Sequence, residues 1–312
     1  MNDQPVRRTT KIVAIGNQKG GVSKTTTTVH IAAGLGELGR KCLIWDLDMN
    51  CGASKHLGIR PDAKFLGTYE VLSEMEEPTD VIVTPEDDVE LPNNVHIIPA
   101  RRNLESLDET LASKDKWFSR PDVLAEPLRK LDGLYDYILL DTAPNATTPT
   151  IAAYKAAKWF VLCAIPEHFA IDGLSEALDD IGKVKKRGNP NLRLLGVVLS
   201  CVRSDYRLSK KLANYVNSTF TLPDGLNLKF NTEISRAQAV PEAQERGLTL
   251  FATNPAHKVT EQYRQLVREI EQRIAVQLPA QDQQAAGRAL SASRESVTPF
   301  PTAASLTEVG NG

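Results

Sequence analysis

Two lysines, a run of small residues and three aspartates are spaced along this chain in a way that suits phosphoryl chemistry. Gly16-Asn17-Gln18-Lys19-Gly20-Gly21-Val22-Ser23-Lys24-Thr25 follows an apolar run and opens a helical pattern, the setting of a phosphate-binding loop. Such a loop aims successive backbone N–H groups at one anion, and Gly20 and Gly21 permit the close approach and unusual φ that this demands. Lys24 supplies a point charge for the β- and γ-phosphates, and the Thr25 hydroxyl is a ligand for Mg²⁺. The helix that follows adds its N-terminal partial charge. Asp141 ends the apolar run Tyr137–Leu140, where it is placed to bind Mg²⁺ through water. Asp46 and Asp48 close another such run, and two residues apart on an extended segment both carboxylates can face the phosphates. Phosphoryl transfer to water needs little more than neutralised charge and a positioned water.

Gly16 is the first glycine of the ordinary loop pattern, but Ser23 stands where its last glycine is expected, and Lys19 is an additional lysine. Lys19-Gly20-Gly21-Val22-Ser23-Lys24-Thr25-Thr26 resembles the deviant Walker A motif of the ParA/MinD superfamily of dimerising ATPases. The chain is most similar to its ParA-type (Soj-like) partition ATPases. Thr68–Leu72, Ile98-Pro99-Ala100 with Leu104, Pro166–Leu174, Ile234-Ser235-Arg236, and Glu242-Ala243 with Gly247 extend the likeness over Lys11 to Ala275. The resemblance implies ATP and Mg²⁺ as cofactors, with the nucleotide held by Lys19 to Thr26 and by Ser235, which replaces a family proline near the adenine. It also implies that Lys19 crosses a two-fold axis to the partner's nucleotide. Thr25, Asp46 and Asp141 would serve the metal, and Asp48 would orient the attacking water. Met49-Asn50-Cys51-Gly52 departs from the family's usual switch sequence, and Ala143 replaces a proline after Asp141.

Alternating strand and helix patterns must position these groups. They predict an α/β fold, a doubly wound, mostly parallel sheet with helices on both faces. Predicted strands are Lys11–Ile15, Lys41–Asp46, Val95–Pro99, Tyr137–Leu140, Trp159–Ile165 and Leu194–Ser200, with Leu228–Phe230 a candidate further strand. Helices are expected over Thr25–Leu38, ended by Gly39 and burying Ile31, Leu35 and Leu38, and over Thr260–Ala275. Residues 1–10 read as a flexible lead, 11–276 as the ATPase domain, and 277–312, rich in small and polar residues, as a disordered tail. Five histidines show no ligand spacing and, like Trp45, Trp117 and Trp159, read as packing or surface residues.

At 41% hydrophobic and 24% charged residues the chain has the composition of a globular domain, and no apolar run nears the ~20 residues of a membrane span. Four scattered cysteines suit a reducing, cytoplasmic setting. The net charge of −2 hides a strong asymmetry. Glu70 to Glu90 carries nine acids and no base, whereas Lys183 to Lys211 carries nine bases against Asp205 alone. Lys183, Lys185, Lys186, Arg187, Arg203, Arg207, Lys210 and Lys211, with Arg236, form the candidate surface for DNA phosphates. By resemblance, the partners are a second copy of the chain in the ATP state, double-stranded DNA bound without sequence preference, and a ParB-like activator or cargo adaptor. That places the protein on the nucleoid. The alternative role is positioning a protein cargo there. The tail has no basic amphipathic stripe for a membrane, no tyrosine for a kinase of the bacterial tyrosine type, and no second cysteine joins Cys51 between the switch elements for an iron–sulfur cluster.

Overall fold

The computed structural model describes residues 9–60, 64–113, 122–166, 170–203, 214, 216–217 and 227–276, without the side chains of 170–173 and 175. Arg207, Lys210, Lys211, Trp117, His168, residues 1–8 and the tail from 277 lie outside the described residues.

Short runs of Val, Ile and Leu buried on both faces become the strands β1 (Lys11–Gly16), β2 (Cys42–Asp46), β3 (Val95–Ile98), β4 (Tyr137–Asp141), β5 (Trp159–Ala164) and β6 (Arg193–Leu199). All pair in parallel, in the order β3-β2-β4-β1-β5-β6. Side chains alternate between two cores: Leu43, Trp45, Ile138 and Leu140 enter one, and Ile44, Val13, Ile15 and Leu139 the other. Helices α1 (Lys24–Glu37) and α10 (Lys258–Val276) cover the second core, and α6 (Thr148–Ala156) and α7 (Ala170–Arg187) the first. Between them run α2 (Gly52–His56), α3 (Thr68–Leu72), α4 (Leu107–Ala112), α5 (Ala125–Leu131), α8 (Ala239–Glu245) and α9 (Leu250–Thr253).

This is the doubly wound sheet expected, and the central position of β1 puts the loop after Gly16 at a crevice beyond the carboxyl ends of the strands. Gly39 ends α1 at φ +75°, and Ile31 and Leu35 are buried as expected, but Leu38 is 42% exposed because it lies beyond the last helical turn. Leu228–Phe230 does not extend into a strand: it makes one isolated parallel bridge, Val197 to Lys229. Thr10, assigned to the flexible lead, is buried, its backbone N–H donating to Asp132 and its hydroxyl to the Tyr135 carbonyl. Trp45 and Trp159 are core residues, and so are His30 and His56.

Candidate functional site

Parallel register brings the acids together. Ile15 pairs with Asp141, and Asp141 pairs with Asp46, so β1, β4 and β2 end side by side beneath one loop. Asn17, nearly fully buried, anchors that loop by donating to the Cys163 carbonyl at 2.7 Å and accepting from the Lys19 N–H at 2.9 Å. Gly21 sits at φ +73°, the conformation only glycine adopts freely; Gly20 keeps a negative φ and contributes open space alone. A Cβ on either glycine would meet nothing within 4 Å.

Ser23, in the place of the ordinary loop pattern's last glycine, holds φ +64° immediately before α1, and its Oγ lies 3.4 Å from Cys201 Sγ. Among the described residues, the backbone N–H groups of Gly20, Gly21, Ser23, Lys24 and Thr25 find no acceptor. A row of unpaired donors at the head of a 14-residue helix is an anion-binding arrangement, so this loop fits a polyphosphate. Lys24 curls back over it, Nζ donating to the Lys19 carbonyl at 3.1 Å. Burial lowers the Lys24 pKa, against the opposing pull of Asp141, Cys163 and Asp48.

The carboxylates form the other half. Asp141 is fully buried and accepts from Thr25 Oγ1 at 2.8 Å and Thr28 Oγ1 at 3.0 Å. Burial first, and then the neighbouring Asp46 charge, raise its pKa. Asp46 accepts from the Ser54 N–H at 2.9 Å, the Ser54 hydroxyl at 2.7 Å and the Asp48 N–H at 3.2 Å, and burial raises its pKa too. Adjacent buried carboxylates whose ionised forms are disfavoured gain most from a cation. Thr25, Asp46 and Asp141 therefore form a set of oxygen groups that fits a Mg²⁺.

Asp48 is held as a turn: its Oδ1 accepts from the Asn50 N–H and from Asn50 Nδ2, both at 2.9 Å, leaving Oδ2 with no partner among the described residues. Cys51, at φ +57°, then turns the chain into α2, and a Cβ on Gly52 would come within 2.9 Å of Thr25 Oγ1. The altered switch sequence thus still lays this segment against the loop.

At the far side of the site, Ser235 pairs with Val202 beyond the end of β6, and Gln262 clamps it, accepting from its N–H and donating to its hydroxyl, both at 3.0 Å. The buried Ser200 hydroxyl, two residues before Val202, has no partner among the described residues. Sequence reasoning missed Ser54 and Gln262, because only tertiary packing brings them to Asp46 and Ser235.

The described basic residues are not all brought together. Lys185, Lys186 and Arg187 end α7 before β6 begins, whereas Arg203 and Arg236 stand beyond its last residue, separated by a strand that rises roughly 20 Å. Instead, Arg203 and Arg236 line an open basin of about 620 Å³ with His257 and Lys258 from the start of α10. The sequence reads His257 only as a packing or surface residue and does not single out Lys258, since no other base lies near the pair along the chain.

A family model described as an AAA domain matches residues 10–194. The chromosome-partitioning ATPase Soj of Thermus thermophilus is 31% identical over 269 residues, covering 86% of this chain and 98% of that protein. The sporulation initiation inhibitor protein Soj of Bacillus subtilis is 30% identical over 260 residues, covering 83% and 98%. Among solved structures, a Mycobacterium smegmatis protein named cobyrinic acid a,c-diamide synthase, with bound ATP analog and magnesium, superimposes with a TM-score of 0.68 at 27% identity, over 83% of this chain and 93% of that one.

Proposed function

The chain belongs to the ParA/Soj family of partition ATPases, within the ParA/MinD superfamily, and we propose that it hydrolyses ATP slowly as a dimer-forming switch that carries or positions DNA. The observation that carries this reading is the row of N–H groups at the head of α1, unpaired among the described residues, beside Lys19 and Lys24 and near the in-register pair Asp46 and Asp141.

In this reading the loop amides and Lys24 bind the phosphate oxygens of ATP. Mg²⁺, when bound, neutralises developing charge on the β- and γ-phosphates. Thr25 and Asp141, hydrogen-bonded to each other, would hold it together with Asp46, which Ser54 fixes. Asp48, with Oδ2 uncommitted, orients the water that attacks the γ-phosphorus as the bond to the bridging oxygen breaks. Lys19 reaches the nucleotide of a second copy, so that ATP closes the dimer. Ser200 and Ser235 lie at the nucleobase side.

The closed dimer binds duplex DNA without sequence preference, and a ParB-like partner stimulates hydrolysis and release. Arg203 and Arg236, joined by Lys258, are the phosphate-contacting candidates supported by the shared basin. Fluorescence anisotropy of labelled duplex with a non-hydrolysable ATP analogue tests this. The R203A/R236A variant is expected to bind at least tenfold more weakly at low salt and with a shallower salt dependence, each lost phosphate contact removing about 0.9 from the log–log slope. Unchanged affinity would remove the basin from the DNA surface.

A further inference from the structure

A second cavity, of about 400 Å³, opens between α6 and α7, away from the basin. Ile151, Tyr154 and Val184 give it a largely apolar wall, and Lys155, Lys183 and Arg187 stand around it. Two of these cations are committed: Lys155 pairs with Asp122 at 2.5 Å and Lys183 with Asp180 at 3.1 Å. Arg187, exposed at the end of α7, has no ion pair among the described residues.

The cavity also touches the phosphate loop from behind. Asp180, in its lining, accepts a hydrogen bond from Gln18 Nε2, two residues past β1. Tyr154 packs its ring edge-on against Phe160, and its hydroxyl occupies the space a Cβ on Gly16 would need. The same hydroxyl neighbours Thr142, the residue after Asp141. A ligand that shifts α7 or the Tyr154 ring therefore moves groups bonded to, or packed on, both phosphate-facing loops.

We propose that this cavity binds a small amphipathic carboxylate, its apolar body between Ile151, Tyr154 and Val184 and its carboxylate on Arg187, and that its occupancy is coupled to nucleotide binding through Asp180 and Gln18. The volume and the mostly apolar wall with few polar groups are those of a small-molecule site. A nucleic-acid phosphate has no apolar body to fill such a wall, and a cationic ligand would face Arg187 unpaired. The coupling, though not the binding, rests on the phosphate-loop reading.

Calorimetric titration of the full chain with decanoate, with and without ADP and magnesium, tests both halves. One decanoate per chain is expected. Val184→Arg, which fills the cavity, and Arg187→Glu, a surface change that spares the fold, should each weaken it at least tenfold. Decanoate should change ADP affinity about fivefold or more, and ADP should change decanoate affinity by the same factor. Asp180→Ala should keep decanoate bound and erase that factor. Absence of decanoate binding by a chain that binds ADP, or equal binding by both cavity variants, overturns the site and leaves the ATPase reading intact. Decanoate binding without any change in ADP affinity overturns the coupling, and a chain that binds decanoate but no ADP overturns the nucleotide reading instead.

Discussion

At Ser23 the chain keeps a side chain in a backbone conformation that glycine adopts without cost, and the loop nevertheless retains its anion-binding shape. A left-handed non-glycine residue costs roughly 1–2 kcal/mol. Ser23→Gly is therefore expected to raise stability by about 1 kcal/mol, read by thermal unfolding, and a lower melting temperature would show that the Ser23–Cys201 contact outweighs the strain. Ser54 makes a different kind of contribution: its N–H and hydroxyl both hold Asp46, and its oxygen in turn accepts from the Ala100 N–H at 2.9 Å. Losing an outer partner of a metal-facing carboxylate typically costs 10–100-fold. Ser54→Ala should lower the steady-state phosphate-release rate by about tenfold while ATP binding, measured separately, changes less. Asp46, Asp48, Asp141 and both lysines stand out in the chain because each ends or closely follows a short apolar strand pattern. Ser54 does not, since it lies eight residues from Asp46 on a helix whose docking depends on the whole sheet.

Among the elements, α1 couples the phosphate loop to the C-terminal half of the fold through His30. Its Nδ1 donates to the Thr26 carbonyl at 2.8 Å, its Nε2 accepts from the Leu250 N–H at 3.2 Å, and its ring stacks on Tyr263. His56, closing α2, meets it edge-on at 5.4 Å and is fully buried with neither ring nitrogen bonded among the described residues. Burial lowers His30 to about 4 and His56 to about 3. The unfolded chain takes up these protons below about pH 6.5, where the folded chain does not. The histidines' contribution to stability should therefore be full above pH 6.5 and fall as pH drops, by up to about 1.4 kcal/mol per pH unit for each, against the opposite contribution of the raised Asp46 and Asp141. Urea unfolding at pH 7.5, 6.0 and 5.0 measures that slope, and His56→Leu should flatten it; equal slopes in the two proteins would contradict the assignment. Strands and the long helices were evident in the sequence because apolar runs buried on both faces have few other uses. The short elements were not: Leu228–Phe230 has strand-like residues, but only Lys229 finds a bridge partner, at Val197.

For the whole molecule, charge is organised by folding more than by chain order. The nine bases between Lys183 and Lys211 read as one patch in sequence, yet β6 carries its two described parts to opposite ends of the sheet. Arg203 and Arg236 gain Lys258 as a neighbour instead. The site itself is one-sided: its loop, carboxylates and Lys19 all lie beyond the carboxyl ends of the strands, where a second copy can meet them face to face. Multi-angle light scattering of the full chain with magnesium and either ADP or ATP, run beside Lys19→Ala and Asp48→Ala, reaches that arrangement most directly. The expected result is a single-chain mass with ADP, a doubled mass with ATP that persists longest in Asp48→Ala, and a single-chain mass in Lys19→Ala that still binds ATP. A single-chain mass for Asp48→Ala in saturating ATP, or a normal ATP dimer in Lys19→Ala, would contradict it.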